Sequence, residues 1–165
     1  MSAGGSARPS AGGKVTLRAA GAGDVETVMA VMHSAFDPRY GEAWTQAQLM
    51  TLFAVPATRL GLATCAGQAV GFFAARLAGP ESELLLLGVT PMQRRQRIGQ
   101  LLLDDWLQWG RANGASDYFL EMRADNNARG LYARAGFVQC GLRADYYLGQ
   151  DGQKRDAITM RLLAG

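Results

Sequence analysis

The sequence has 165 residues, of which 48% are hydrophobic and 19% are charged, and its formal net charge is +3. This composition is ordinary for one globular domain, and no apolar run approaches the ~20 residues that cross a bilayer. We expect one non-membrane domain over residues 14–165 and a disordered tail over residues 1–13, because the Ser, Ala, Gly and Pro of that stretch cannot form a core.

The first half of the chain predicts one strand, two helices and three further strands. Asp24 is placed to cap the first helix, and Thr45 with Gln48 forms a capping box for the second. Alternating or continuous apolar residues predict strands at residues 14–18, 59–65, 69–77 and 83–89.

The second half predicts a long helix, a strand, a short helix and two final strands. The long helix carries Ile98, Leu102 and Trp106 on one face and ends near Gly114. The later elements are predicted at residues 118–122, 127–135, 137–142 and 157–162. This order of elements indicates an α/β fold with a mixed sheet.

The segment from Val89 to the long helix, VTPMQRRQRIGQLL, has the pattern of an anion site. A strand leads through a short loop into a helix, whose unpaired N–H groups and positive dipole end attract a pyrophosphate. Gly99 permits close approach of the backbone, and Arg94, Arg95 and Arg97 add positive charge. A solvated basic turn that caps an amphipathic helix fits the loop equally well, so both interpretations stay open on this segment alone.

The loop resembles motif A of the GNAT acetyltransferases, [RQ]-x-x-G-x-[GA], which cradles the pyrophosphate of coenzyme A. It spans Arg94 to Gly99, with Arg97 where the family usually has its first glycine. Residues 118–137, YFLEMRADNNARGLYARAGF, resemble the second half of the GNAT core. Residues 36–49 and 143–162 are similar to the RimI-type ribosomal-protein-alanine acetyltransferases, so the resemblance covers residues 15–162.

This resemblance implies a GNAT-type α/β fold, with a mixed, mostly antiparallel central sheet flanked by about four helices. It implies acetyl-CoA as co-substrate and no metal. By this resemblance Glu121 would be the base, acting directly or through a water, and Tyr132 the acid. Without the resemblance these residues are interpreted as a solvent-facing glutamate and a core tyrosine. The residues implied to bind the cofactor are Val89, Arg94, Arg95, Gln96, Arg97, Ile98, Gly99, Gln100 and Asn126, with the N–H of Val89 donating to the thioester carbonyl.

The spacing from Glu121 to Tyr132 is one residue shorter than in the RimI-type pattern. A deletion inside the helix would rotate Tyr132 by about 100°, whereas a deletion in the loop at residues 124–127 would leave both side chains in place. We assume the loop. The family's asparagine then falls on Asn126 when counted from Glu121, and on Asp125 when counted from Tyr132.

The resemblance further implies an acceptor, the N-terminal α-amine of a small-subunit ribosomal protein, with alanine as the expected first residue. The family admits this peptide at the loop with Tyr40 and Trp44 and at the pair Tyr146 and Tyr147, and of these we expect Tyr40, Trp44 and Tyr146 to bind it. The same aromatic residues are equally interpreted as cover for the edge of the core. An α-amine has a pKa near 7.8 and is partly neutral at pH 7.5, so an ordinary carboxylate suffices as base. The alternatives are a small amine or a lysine as acceptor, or a non-catalytic acyl-CoA-binding or RNA-associated module.

The remaining expectations concern partners and compartment. His33 is the only histidine, and Cys65 and Cys140 are far apart in sequence, so no zinc site is expected. Both cysteines lie in apolar, strand-like runs and are expected to be buried, reduced thiols, which favours a cytoplasmic location. We expect no direct nucleic-acid or membrane partner, and a monomer or a weak dimer.

Overall fold

Seven strands and four helices follow one another in the predicted order. The computed structural model describes residues 13–94 and 96–163, so residues 1–12 of the predicted tail and Arg95 lie outside the described residues. The strands are β1 (Val15–Ala19), β2 (Thr58–Cys65), β3 (Gln68–Ala78), β4 (Glu81–Val89), β5 (Asp117–Arg123), β6 (Val138–Leu148) and β7 (Lys154–Leu163). The helices are α1 (Val25–Ala35), α2 (Gln46–Leu52), α3 (Ile98–Ala112) and α4 (Arg129–Arg134).

The strands form one sheet in the order β1-β2-β3-β4-β5-β7-β6. Only β4 and β5 pair in parallel, and every other neighbouring pair is antiparallel. The predicted α/β fold, with a mixed, mostly antiparallel sheet and about four helices, is therefore confirmed.

Helices cover both faces of this sheet. Phe72 and Phe73 are adjacent in β3 and both fully buried, and they point to opposite faces because side chains alternate along a strand. Phe72 packs in a cluster with α1 and α2, and Phe73 in a cluster with α3 and α4. A strand that is buried on both sides needs apolar residues throughout, which explains the uninterrupted run in β3.

The parallel pair β4–β5 opens before either strand ends. Its ladder stops at Leu84 and Leu120, whereas β4 continues to Val89 and β5 to Arg123. Opposite β3, β4 carries one extra residue, Leu85, and such a bulge bends its strand. The carboxyl ends of the two strands therefore diverge and leave a cleft between them.

The predicted helix starts have different outcomes. The capping box is confirmed, since the Thr45 hydroxyl accepts from the Gln48 N–H at 3.2 Å and the Gln48 amide accepts from the Thr45 N–H at 2.7 Å. Asp24 occupies the predicted N-cap position of α1, but its carboxylate makes no capping hydrogen bond to this helix. Its carboxylate accepts from Arg18 and from the Gly21 N–H instead, and these bonds lower the pKa of Asp24 to about 2.

The last two strands are longer than predicted. The edge strand β6 continues to Leu148, and its register with β7 is interrupted between Arg143 and Tyr147. Cys65 is buried as expected, but Cys140 is exposed because β6 has no neighbour on its outer side among the described strands. No helix within the described residues is long and apolar enough to span a membrane.

Candidate active site

Two cavities occupy the cleft between β4 and β5. We call the larger one the groove; it has a volume of about 1290 Å³ and is lined by the end of β4, the start of α3, the loop after β5, and α4. We call the smaller one the channel; it has a volume of about 350 Å³ and is lined by residues 41–44, the middle of β4 and the end of β5. The residues common to both are Phe36, Glu42, Leu87, Asn126 and Tyr132.

The start of α3 forms one wall of the groove. Arg97 precedes the helix with φ +60° and ψ 17°, in the left-handed region that favours glycine. This backbone conformation gives a physical reason for the glycine that the resembled motif carries at this position. The Arg97 side chain is exposed and lines the groove, next to the unpaired N–H groups of the first helical turn.

Gly99 lies where α3 approaches α4. A Cβ built on Gly99 would lie 3.3 Å from Cδ2 of Leu131, which is tighter than an ordinary contact. Both residues line the groove. A larger side chain at position 99 must therefore either displace Leu131 or extend into the groove.

Arg94 braces the opposite wall of the groove. Its guanidinium donates to the carbonyl of Ala35 at 2.6 Å and to the carbonyl of Val89 at 3.3 Å. It thus joins the end of α1 to the end of β4. Although Arg94 lines the groove, part of its donor capacity is committed to holding this wall.

Most of the residues predicted to bind the cofactor line the groove. Those that line the groove are Val89, Arg94, Arg97, Ile98, Gly99, Gln100 and Asn126. Gln96 is exposed and does not line it, and Arg95 lies outside the described residues. Of the two positions left open for the asparagine, Asn126 borders both cavities and accepts from the Ala128 N–H at 2.8 Å. Asp125 also lines the groove, but its carboxylate pairs with arginines.

Glu121 lies on the wall of the channel. It belongs to β5, and its side chain is 24% exposed. Its Oε2 atom is 3.5 Å from the Thr159 hydroxyl and 3.5 Å from Nε of Arg143. Both distances are at the outer limit of a hydrogen bond, so the carboxylate keeps capacity to accept a proton or a donor from the channel.

Tyr132 borders both cavities from α4. Its side chain is buried, and burial raises its pKa above the ordinary tyrosine value. The phenol therefore stays protonated at neutral pH and can act as a proton donor. α4 begins at Arg129, later than predicted, and Tyr132 on this helix lines the channel.

The aromatic residues predicted to contact a peptide are separated by the fold. Trp44 lines the channel, Tyr40 lines the groove, and Tyr146 is half exposed and lines neither. Its neighbour Tyr147 lines the channel instead, and burial together with the negative charge of Glu121 raises the pKa of Tyr147 to about 12.

Sequence reasoning did not single out three residues of this site: Phe36, Glu42 and Arg123. Phe36 directly follows α1, and its residue type does not distinguish it from the apolar residues of the core. Glu42 and Arg123 form an ion pair across 81 positions of sequence, so no local pattern could have joined them. Their contacts tie the loop before α2 to the end of β5.

Together the two cavities bring a carboxylate, a protonated phenol and a helix N-terminus to one cleft. The carboxylate can take a proton from a nucleophile in the channel, and the phenol can give one to a leaving group at the junction of the cavities. The helix N-terminus suits an anionic ligand in the groove. No group of three His, Cys, Asp or Glu side chains within residues 13–94 and 96–163 could hold a metal ion.

Comparisons with known proteins show the family of this chain. The profile of the Acetyltransferase (GNAT) family matches residues 27–137. The [Ribosomal protein bS18]-alanine N-acetyltransferase of Escherichia coli (strain K12) is 33% identical over 97 residues, which are 58% of this chain and 65% of that protein. The enzyme of the same name from Haemophilus influenzae is 29% identical over 93 residues, which are 56% of this chain and 64% of that protein. The matches thus span just under two thirds of these relatives.

The fold has a solved counterpart. The crystal structure of the ribosomal-protein-S18-alanine N-acetyltransferase from Escherichia coli superposes with a TM-score of 0.82 at 24% identity. The superposition covers 92% of this chain and 95% of that chain. At this level of identity the likeness establishes the fold.

Proposed function

This chain belongs to the GNAT acetyltransferase family, and on that premise we propose that it transfers the acetyl group of acetyl-CoA to the N-terminal α-amine of a small-subunit ribosomal protein, with alanine as the first residue of that protein. One observation carries the proposal. Tyr132 borders both cavities while Glu121 faces the channel, so an amine entering by the channel would meet a cofactor in the groove between a base and an acid.

The groove fits the cofactor of this family in size and charge. Its volume exceeds the ~300–1,000 Å³ of typical small-ligand pockets, as an extended ligand requires. The acidic residues that line it are paired: Asp37 with Arg39, and Glu42 and Asp125 with Arg123. In contrast, the groove residues Arg97 and Arg134 have no ion-pair partner among the described residues, which leaves positive charge free for phosphates.

The residues around the cleft divide the chemistry between them. Acetyl-CoA supplies an activated thioester when bound. The backbone at residues 97–100 and the Arg97 side chain would hold its pyrophosphate. As the N–C bond forms and the C–S bond breaks, an oxygen of Glu121 takes the proton of the amine, directly or through a water. The Tyr132 phenol gives its proton to the departing sulfur, and solvent restores both groups.

The choice of an α-amine rests on proton chemistry and on the relatives. Roughly a third of an α-amine with a pKa near 7.8 is neutral at pH 7.5, against about 0.1% of a lysine side chain. An ordinary carboxylate such as Glu121 therefore suffices to deprotonate an α-amine. The relatives from Escherichia coli and Haemophilus influenzae are both named for the alanine of ribosomal protein bS18.

A thiol-release assay with matched peptides tests the proposal. One peptide has a free N-terminal alanine, and its twin has a blocked α-amine and a free internal lysine. We expect the first to be acetylated far faster. Equal rates on the two peptides would contradict the assignment of an N-terminal α-amine as the acceptor and would favour a lysine acceptor. Release only with small amines would favour a small-molecule acceptor, and no release with any acceptor would favour a non-catalytic acyl-CoA-binding module.

A further inference from the structure

Arg123 is a buried cation at the end of β5, two residues beyond Glu121. Only 8% of its surface is exposed. Its Nη1 atom donates to the carboxylate of Glu42 and its Nε atom to the carboxylate of Asp125. Its guanidinium also lies over the ring of Tyr40, 3.5 Å from the ring centre. Arg123 thus makes two charge-assisted hydrogen bonds and one cation–π contact.

Two of these partners belong to a single loop, residues 37–45, which we call the acceptor loop. Tyr40 lines the groove, Glu42 borders both cavities, and Trp44 lines the channel. The loop therefore forms a shared wall of both cavities. Arg123 is the point at which this wall is attached to β5, the strand that carries Glu121.

The same loop is held on its other side by the turn between β6 and β7. Arg155 lies over the Tyr40 ring at 4.7 Å and pairs with Asp151 at 2.6 Å. The backbone carbonyl of Arg39 accepts from the Gln150 N–H at 2.8 Å. Tyr40 is thus enclosed by arginines from two different parts of the sheet, and the loop has a defined position without secondary structure of its own beyond one turn.

We propose that Arg123 is a positioning residue for the acceptor. Through Glu42 and Tyr40 it fixes the acceptor loop at the junction of the groove and the channel, so that an incoming amine meets a wall that is already ordered. This inference rests on the proposed function, since the consequence is felt by the acceptor. A loop that must order itself on binding weakens the binding of the ligand that it contacts.

The competing interpretation is that the Glu42–Arg123 pair serves stability alone. Buried ion pairs are weak stabilisers, because desolvation offsets much of their attraction. Loss of stability would lower the melting temperature without a preferential effect on one substrate. Separation of the two roles therefore requires a readout that distinguishes the acceptor from the cofactor.

Glu42→Gln is the primary test, because it keeps the shape of the side chain and removes its charge. We expect the KM of an N-terminal-alanine peptide to rise about fivefold to tenfold, with kcat within about twofold and a clearly smaller change in the Kd of acetyl-CoA. Arg123→Lys keeps the charge but loses the planar fork, and should shift the same parameters in the same direction.

Asp117→Asn is the matched control. Asp117 lies at the other end of β5, is 14% exposed against 17% for Glu42, and pairs with Arg161, whose guanidinium lies near the Phe119 ring. This substitution removes the charge of a comparably buried carboxylate, whose arginine partner is more exposed, without touching the acceptor loop. Its peptide KM should stay at the parental value.

Hydrogen exchange of the acceptor loop gives a second readout that needs no turnover. In Glu42→Gln, amides of residues 37–45 should exchange about tenfold faster, while those of β7 are unchanged. If the acceptor loop exchanges faster in Glu42→Gln but the parent protein acetylates no peptide, the proposed function is refuted. The inference that Glu42 and Arg123 hold the loop in place is then still supported. Parental exchange and parental peptide KM in Glu42→Gln would overturn the inference, even if Arg123→Lys failed to fold.

Discussion

Glu121 lines the channel but not the groove, whereas Tyr132 lines both the channel and the groove. The two side chains come from different elements, one from β5 and one from α4. Both line the cleft that forms where the ladder of β4 and β5 stops, at Leu84 and Leu120. Because the proposed base and the proposed acid have different neighbours, substitutions can test the two roles separately.

The carboxylate of Glu121 should be needed for proton removal. Glu121→Gln keeps the shape of the side chain, and kcat should fall by roughly 10²–10⁴ with little change in acetyl-CoA affinity. Its residual rate should increase with pH as the amine loses its proton unaided. Steady-state kinetics between pH 6 and 9 would measure both effects. Glu83→Gln, which removes an exposed carboxylate paired with Arg76, is the control. A Glu121→Gln enzyme with parental turnover would assign the base elsewhere.

The phenol of Tyr132 should be needed for departure of the thiol. Tyr132→Phe should lower kcat by roughly 10²–10⁴ and leave acetyl-CoA binding intact. Because burial raises the pKa of Tyr132, the parent should lose no activity through ionisation of this group below about pH 10. Tyr118→Phe removes another buried hydroxyl, which donates to the Leu107 carbonyl, and should keep turnover near the parental value. Similar rates for the two variants would exclude Tyr132 as the acid.

The start of α3 should control cofactor binding. At a hundredfold excess over Kd, a ligand stabilises its protein by roughly 2.7 kcal/mol. Gly99→Asp places a carboxylate in the groove and should abolish the thermal protection by acetyl-CoA. Gly99→Ala tests the steric effect alone against Leu131, 3.3 Å away, and should retain part of it. If the aspartate variant folds and is protected like the parent, the phosphates bind at another site.

The left-handed backbone of Arg97 should carry a measurable cost. A side chain in this conformation costs about 1–2 kcal/mol, and glycine avoids it. Arg97→Gly should therefore be more stable than Arg97→Ala by about 1 kcal/mol, or roughly 2–4 °C in Tm. Both variants lack the guanidinium, so their difference isolates the backbone. Calorimetry without cofactor measures it, and a less stable glycine variant would contradict the assigned conformation.

The two adjacent tyrosines of β6 should differ in their effect on the acceptor. Tyr147 lines the channel, whereas Tyr146 packs edge-on against it at 5.2 Å and faces solvent. Tyr147→Ala should raise the KM of the peptide more than it lowers kcat, and Tyr146→Ala should change both less. Trp44→Ala, on the facing wall, should behave like Tyr147→Ala. If Tyr146→Ala raises the peptide KM more than Tyr147→Ala does, then Tyr146 is the residue that contacts the peptide.

Much of the fold could be predicted because it depends on local patterns. The capping box at Thr45 and the apolar stripe of α3 involve residues within a few positions of one another. The failures have a common cause. Asp24 prefers the partners Arg18 and Gly21, and β6 continues past its predicted end because β7 supplies a neighbour for it. Both outcomes depend on competition between partners, which residue type alone does not determine.

The candidate site divides in the same way. The sequence by itself determined the strand, loop and helix around α3, since these follow from local patterns. Its resemblance to the GNAT core, rather than residue type or spacing, pointed to Glu121 and Tyr132 as candidates for proton transfer. Only the tertiary structure decided that Tyr147 rather than Tyr146 lines the channel, because a shift of one residue in strand register exchanges the two faces. It alone brought Glu42 to Arg123, because a contact across 81 residues depends on the packing of the whole sheet.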